Sequence, residues 1–582
     1  MCGIALVIGP GEQSSRLQTM LQKQAHRGPD HTGTFYDYGF AAIGHNRLSI
    51  IDLSASGNQP FFDRNDRYVL TFNGEIYNYK ELKAELTTSY HFKTQTDTEV
   101  LLAAYIVWGE QCLDRLKGMF AFVIWDRETK TFFAARDRFG VKPLYYAFLN
   151  EETILISSEI KALHAAGIPK IPNTNVWSGY FSIGSYGAPD ETFWDGVHQL
   201  KGGCYMRFRD PDSYRDVQTA NIKERLSIAS WFDFQDLVRK QATDLSFEDA
   251  TRHYAQLLER SIKLRFRADV PVGFNLSGGL DSSTLLHLVH TYYPKDKAQC
   301  KAYTFYTGDD RYDELYWVEL MLQNSTTRLE KIKLSPEEVP ERARALAQSQ
   351  DEPYGGIPTI AYAKLFEQAR KQGTLVLLDG QGMDEQWAGY DYYHSTSQST
   401  VQGVRTSPFK PELLQTSLRE DFKKRDTPQV FEDAMQQKQY RDLFYTKLPR
   451  ALRFNDRVSM ASSVELREPF LDEELVAFAF AQPKAFKVQN GQTKYLVRKY
   501  VANSLAQEVV LAPKRPLQTP QREWLARPLH NFVNQEIDRL LQGDLGYLFQ
   551  ADAVHRIWKQ YQEGDQESSF HIWQLVNASL ST

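Results

Sequence analysis

The chain has 582 residues, 42% of them apolar and 24% charged; this is ordinary for a soluble globular protein and too long for one hydrophobic core, so two domains are expected. Lys and Arg total 68 against 73 Asp and Glu, a net charge of −5 that gives no electrostatic footprint for nucleic acid or an anionic membrane surface. No apolar run approaches the ~20 residues of a membrane-crossing helix, and no basic segment precedes the short apolar run 4–8 as in a signal peptide. Cys2, Cys112, Cys204 and Cys300 are widely spaced and form no CxxC pair, which disfavours a disulfide scaffold or zinc site and points to a reducing cytoplasm.

In chain order, residues 4–8 read as a buried strand with Cys2 at its leading end, and Leu17, Met20 and Leu21 carry helical spacing that stops before His26-Arg27-Gly28-Pro29-Asp30. Residues 41–52 and 67–72 read as strands, Leu82 and Leu86 mark one helix, and residues 100–108 another. Residues 120–125 and 131–135 flank a polar turn as a hairpin. Sheets and helices in this order predict an α+β layered domain. Residues 210–235 have mixed charge and little periodicity and read as linker, with Gly203 at a turn before it.

From about residue 246 the pattern becomes α/β: a helix near 246–264, a strand at 272–276, a helix after 282, and strands at 302–306 and 374–378. Leu276-Ser277-Gly278-Gly279-Leu280-Asp281-Ser282-Ser283 is a strand end, a glycine turn and a helix start. Two glycines leave backbone N–H groups free to face an anion, and a helix N-terminus suits phosphate or pyrophosphate. The Gly-Lys-Ser/Thr ending of a kinase-type P-loop is absent, so a pyrophosphate cradle fits better than γ-phosphate transfer. Asp379-Gly380-Gln381-Gly382-Met383-Asp384-Glu385 repeats the pattern of buried strand, glycine loop and acidic residues, as at a ligand site on the carboxyl ends of parallel strands. After residue 410 the chain turns largely helical.

Residues 276–283 resemble the PP-loop of the ATP pyrophosphatase family, which splits ATP into AMP and pyrophosphate. Met1-Cys2-Gly3-Ile4 resembles the start of a class II glutamine amidotransferase, in which a cysteine exposed by loss of the initiator methionine is the nucleophile. In this order and at this length the two are similar to the glutamine-hydrolysing asparagine synthetase family, over nearly the whole chain. The resemblance implies a four-layer αββα antiparallel sandwich over residues 2–215, a linker at 216–240, and an α/β PP-loop domain with a parallel sheet and a helical C-terminal region over 241–582.

Cysteine at position 2 alone reads equally as a small buried hydrophobe; with Met1 removed, its α-amino group can serve as the thiol's own base. The resemblance implies that Asn73 and Gly74 hold the oxyanion, and that Arg47 grips the glutamine α-carboxylate. Asp97 takes its ammonium, with Leu48, Ser49, Ile50, Ile51 and Glu75 around the substrate. In the second domain it implies ATP at Leu276, Ser277, Gly278, Gly279, Asp281, Ser282, Ser283, Tyr306, Asp379 and Gly380. Mg²⁺ falls to Asp281 and Asp384, hard oxygen ligands for a hard cation, and the departing pyrophosphate to Lys494. The family carries a glutamate where this chain has Gln381. An amide accepts no proton at neutral pH, so the proton released during ammonia attack is expected to go to Glu352, in Asp351-Glu352-Pro353-Tyr354, rather than to Asp379.

The activity implied is that of an ATP-dependent carbon–nitrogen ligase: glutamine hydrolysis, internal passage of ammonia, adenylation of the aspartate β-carboxylate, and release of asparagine, AMP, pyrophosphate and glutamate. Two alternatives stay open, an amide synthetase for another carboxylic acid and a non-catalytic nucleotide or glutamine sensor. Partners are small molecules, with no nucleic acid and no membrane; a homodimer is compatible with the resemblance.

Overall fold

The computed structural model describes residues 1–208, 221–293, 300–323, 325–394, 407–514, 518–565 and 569–582. The first domain holds strands β1 (Gly3–Ile8), β2 (His31–Asp37), β3 (Ala41–Arg47), β4 (Phe61–Phe62), β5 (Tyr68–Ile76) and β6 (Gly118–Asp126). It continues with β7 (Thr131–Arg136), β8 (Tyr145–Asn150), β9 (Thr153–Ser157), β10 (Val197–Gln199), β11 (Cys204–Phe208) and β12 (Leu226–Ser230). They form two antiparallel six-stranded sheets, β10-β8-β9-β1-β3-β2 and β12-β11-β7-β6-β5-β4.

Alternation along each strand builds the layers. In β1, Ile4, Leu6 and Ile8 join Val69, Val123, Trp125 and Ala134 between the sheets. Ala5 and Val7 point the other way, onto Leu17, Met20 and Leu21 of the helix Ser14–Lys23. Beyond the second sheet, Leu70, Phe72, Phe122 and Phe133 pack on Val100–Ala104 of the helix Asp97–Trp108. The helix–sheet–sheet–helix sandwich expected from the sequence is therefore present.

The expected linker at 216–240 carries structure of its own where it is described. Residues 209–220, where the expected boundary falls, lie outside the described residues. Past them, β12 pairs antiparallel with β11 and covers the edge of the second sheet. The helix Phe234–Arg239 follows, and Phe234 packs against Phe431, Phe444 and Phe480 of the second domain.

The second domain is built on a parallel sheet of β13 (Val272–Asn275), β14 (Lys301–Tyr306), β15 (Arg328–Lys333), β16 (Val376–Leu378) and β17 (Glu465–Arg467), in the order β15-β14-β13-β16-β17. The chain winds one way from β13 to β15 and the other way from β16 to β17. The switch lies between β13 and β16, where open α/β sheets bind ligands beyond their carboxyl ends. Phe274, Ala302 and Leu378 face the helices Phe247–Arg265 and Leu280–Tyr292. Tyr303, Leu377 and Leu466 face the helices Val339–Gln350 and Ile357–Lys371. No helix among the described residues is long and apolar enough to cross a membrane.

Two candidate active sites and the seam between them

Cys2 stands at the head of β1 beside the end of β5. Its backbone N–H donates to Asn73 Oδ1 at 2.9 Å, and its Sγ lies 3.9 Å from the carbonyl oxygen of Leu48. Asn73 Nδ2 is buried with no hydrogen-bond partner among the described residues. Asn73-Gly74 is not a hairpin turn; it lies inside β5, opposite Ala121 and Phe120 of β6. A Cβ on Gly74 would come within 2.1 Å of the Met119 carbonyl oxygen, so this approach requires glycine. Burial pushes the Cys2 thiol pKa up.

Arg47 closes one end of the pocket. Its guanidinium donates to Ser54 O at 2.7 Å, to Asn58 Oδ1 at 2.9 Å and to Asp52 O, so the loop after β3 fixes its orientation. At the other end Asp97 Oδ2 accepts the Ile76 N–H at 2.9 Å, and burial raises its carboxyl to about 6. Leu48, Ile50, Ile51, Gly74 and Glu75 complete the wall. Ser49 is not part of it: its N–H is turned away to Asp30 Oδ2 at 2.8 Å.

The second domain reaches this pocket. With Met1 in place, its ammonium pairs with Glu465 Oε2 on β17 at 2.9 Å, Glu465 Oε1 accepts from Arg467 Nε at 2.5 Å, and Arg467 Nη2 lies 3.6 Å from Glu75 Oε2. Arg27 donates from Nε to the carbonyl oxygen of Cys2 at 2.9 Å and from Nη1 to Glu159 and Asp456 at 3.0 and 2.9 Å. Asp456 and Glu465 belong to the second domain, and their side chains join it to the first.

The other pocket lies at the sheet switch. The loop after β13 carries Ser277, Gly278 and Gly279 into the helix Leu280–Tyr292, and Gly278 has φ +52°. The loop after the adjacent β16 carries Asp379, Gly380 and Gln381, with Asn275 Nδ2 donating to Asp379 Oδ2 at 3.0 Å. A cavity of about 200 Å³ spans both loops and is walled by Asp281, Ser282, Asp384, Lys494, Arg498 and Lys514 as well. It continues into a recess between Leu276, Tyr303, Thr304, Phe305 and Tyr362.

Two expected nucleotide contacts do not line either space. Tyr306 ends β14 beyond Thr304 and Phe305, which take its place, and its carbonyl accepts the Leu334 N–H at 2.9 Å. Ser283 is turned into its own helix, donating to Gly279 O at 2.6 Å.

Lys494 is delivered by a hairpin, β18 (Val488–Gln489) and β19 (Gln492–Thr493), whose turn residues Asn490 and Gly491 have φ +52° and +76°. That is a type I′ turn, for which Asn-Gly is the strongest sequence signal. Lys494 Nζ sits 2.6 and 2.7 Å from the two oxygens of Asp281 and 2.6 Å from Asp384 Oδ1, and Lys514 pairs with the other Asp384 oxygen. Burial raises the Asp281 carboxyl despite its lysine, whereas at Asp384 the two lysines overcome burial and hold the carboxyl far below the usual range. Lys514 and Arg498 carry no motif, and the sequence reading passes them by.

Glu352 requires a correction. It is absent from the cavity wall and lies at the seam, where Oε1 accepts the Phe193 N–H at 3.0 Å and Oε2 pairs with Arg457 at 2.9 Å. Arg453 stands 3.5 Å from Oε1. Burial works to raise this carboxyl, but Arg453 and Arg457 prevail and lower it. A carboxylate engaged in that way is a poor proton acceptor.

Comparison with known proteins finds two domain matches along the chain. Residues 1–217 match the model of the glutamine amidotransferase domain, and residues 253–582 match that of asparagine synthase. A putative glutamine-hydrolysing asparagine synthetase of Mycobacterium tuberculosis is 30% identical over 99% of this chain and 96% of its own length. Glutamine-hydrolysing asparagine synthetase 1 of Bacillus subtilis is 28% identical over 99% and 95%, and amidase chry2 of Gibberella zeae is 27% identical over 94% and 93%. The chain belongs to the glutamine-hydrolysing asparagine synthetase family, enzymes that join a glutamine amidotransferase domain to an ATP-dependent ligase domain.

Proposed function

We propose that the enzyme makes asparagine from aspartate, with glutamine as nitrogen donor and ATP cleaved to AMP and pyrophosphate. The observation that carries the ligase half is the convergence of Asp281, Asp384, Lys494 and Lys514 over two glycine loops at the sheet switch. Backbone N–H groups of Gly278 and Gly279 cradle phosphate oxygens, with the Ser277 N–H held by Ser282 Oγ, while Lys494 and Lys514 receive the charge that gathers on departing pyrophosphate. Leu276, Asp379 and Gly380 border the nucleoside.

Asp281 and Asp384 fit a Mg²⁺–pyrophosphate group. Both carboxylates converge on one cation position, held here by Lys494 Nζ at 2.6 Å from each. No third histidine, cysteine or carboxylate joins them among the described residues, so phosphate oxygens complete any shell. Bound there, the ion supplies charge neutralisation and keeps the pyrophosphate oriented.

In the first domain, the Cys2 nitrogen that donates to Asn73 Oδ1 becomes the free α-amine once Met1 is removed, placed to take the thiol proton. The thiolate attacks the glutamine carboxamide, and Asn73 Nδ2 with the Gly74 N–H steadies the oxyanion at roughly 3–4 kcal/mol per donor. Arg47 and Asp97 hold the α-carboxylate and α-ammonium. Ammonia then passes through the seam.

The second reading, another carboxylic acid as acceptor, draws on the relative named an amidase. Measuring AMP and pyrophosphate release with glutamine against a panel of amino acids and related carboxylic acids separates the two. Aspartate should be the acid that yields equal AMP, glutamate and amide; activity with a different acid alone overturns the asparagine assignment.

A further inference from the structure

The ligase cavity has two chemically different parts. The recess is walled by Leu276, Tyr303, Phe305 and Leu365, apolar and aromatic surface that suits the faces of a planar base. The other part holds the glycine loops with Lys494 and Lys514, donors suited to phosphates. A nucleotide laid across them has its ribose at the junction, because the sugar joins base to phosphate. Among the described residues, four border both parts: Asn275, Ser277, Glu314 and Tyr362.

Local structure fixes the last two at that place. Glu314 precedes the helix Leu315–Leu322, and its carbonyl oxygen accepts the Trp317 and Val318 N–H groups at 3.0 and 3.1 Å. Asp313 closes the loop ahead of it, accepting the Thr307 and Gly308 N–H groups at 2.7 Å each. Gly278 lies against this helix start: a Cβ there would come within 2.7 Å of Trp317 Cβ and 3.3 Å of Glu314 Cβ. The glycine loop and Glu314 are thus held together. Tyr362 rises from the helix Ile357–Lys371 and packs edge-on against Phe305, with ring centroids 5.8 Å apart. Its hydroxyl faces Asp379 and Glu314; burial and those two charges push its pKa up, so it is a donor at any working pH. Asn275 Nδ2 is committed to Asp379, and its Oδ1 is buried with no hydrogen-bond partner among the described residues.

We propose that Glu314 and Tyr362 read the ribose of the bound nucleotide and make the enzyme specific for ribonucleotides; this rests on the ATP-dependent reading above. Glu314 accepts from one hydroxyl of the 2′,3′-diol, and Tyr362 donates to that diol. A hydroxyl is both donor and acceptor, and a carboxylate beside a phenol offers the complement of each. A deoxynucleotide brings no donor for the carboxylate. A site built to bond a hydroxyl rejects the analogue lacking it, because its polar groups are then left unpaired.

The test compares ATP with 2′-deoxy-ATP and 3′-deoxy-ATP in acid-dependent AMP formation by the full-length parent, Glu314→Ala and Tyr362→Phe. In the parent, kcat/KM for at least one deoxy analogue should fall about 10- to 100-fold below that for ATP, the range for a hydrogen bond to a charged group. Glu314→Ala should lower kcat/KM for ATP by a similar factor and leave the value for that analogue unchanged, so that discrimination collapses. Tyr362→Phe removes a single hydroxyl and should narrow the discrimination several-fold with the thermal midpoint near the parent's. A merely structural role would instead depress all three nucleotides together. A parent that uses both analogues as well as ATP overturns the proposal, as does equal loss on ATP and the analogue in both variants. No AMP from ATP in the parent with any acid overturns the underlying functional reading instead.

Discussion

Arg27 and Asp456 meet across the seam at 2.9 Å, and the same guanidinium holds the carbonyl oxygen of Cys2 at 2.9 Å. Both side chains are buried, at 0% and 4% exposure, so neither charge has water as a substitute partner. A residue of the ligase domain thereby fixes the backbone at Cys2, the proposed glutaminase nucleophile. Removing one member of such a buried pair typically costs about 3–5 kcal/mol. Asp456→Ala should lower the thermal midpoint and release more glutamate per amide formed, because the seam loosens. A variant with the parent's midpoint and a one-to-one yield would show that the contact couples nothing.

Cys2→Ala should abolish glutamate release and glutamine-dependent synthesis, while synthesis from added ammonium salts persists. The two pockets lie in separate domains and share no lining residue. N-terminal mass analysis of the active enzyme should find Cys2 first. Glutamate release at the parental rate from Cys2→Ala would reassign the nucleophile.

Asp281→Asn and Asp384→Asn should each stop AMP and pyrophosphate formation with either nitrogen source and leave glutamate release largely intact. Each carboxylate touches Lys494, so its loss also frees that ammonium from its observed position. Titrating Mg²⁺ checks the metal role separately. Parental activity and parental Mg²⁺ dependence in both variants would exclude these residues from the metal site.

Much of this was legible in the chain because local chemistry and global position agree. The glycine loops at 278–279 and 380 advertise themselves through buried strands ahead of them and helix starts behind. The apolar run at 4–8 announces a buried strand, and the two faces of β1 do enter two cores. What stayed hidden were contacts between segments far apart in sequence. Arg27 and Asp456 are 429 positions apart, and Lys514 and Asp384 are 130 apart. No periodicity encodes such pairs. Glu352 misled because a carboxylate next to a loop implies exposure, whereas its environment is set by two arginines about a hundred residues later. Asn490-Gly491 carried a usable turn signal that, read, would have placed Lys494 at a hairpin exit.

Asp97 titrates near 6 in the free pocket, since burial opposes its charge. Only the ionised form holds an ammonium, so glutamine kcat/KM should fall as pH drops below about 6. Ligase turnover with ammonia should not share that limb. Asp97→Asn should remove the limb and weaken glutamine binding by about 10- to 100-fold, as expected for a charged hydrogen bond of about 1.5–3 kcal/mol. A glutamine profile that stays flat to pH 5 in the parent would exclude Asp97 as the ammonium partner.

Glu352→Gln separates a structural carboxylate from a reacting one. Folded Glu352 has a lowered pKa, so its contribution is present above the unfolded carboxylate value of ~4.3 and lost as pH falls through the folded value. The parent should therefore be more stable than the variant at pH 7, with the gap closing only in acid. Glutamine keeps an oxygen for the Phe193 N–H but leaves Arg457 and Arg453 without their anion. The loss should be a few kcal/mol, below the ~3–5 of a fully stranded charge because the amide oxygen still accepts. At temperatures where the variant is folded, ATP–pyrophosphate exchange and amide formation should decline together or not at all. Selective loss of amide formation with exchange intact would return the proton-accepting role to Glu352. It would mean the seam rearranges during turnover to bring that carboxylate to the cavity.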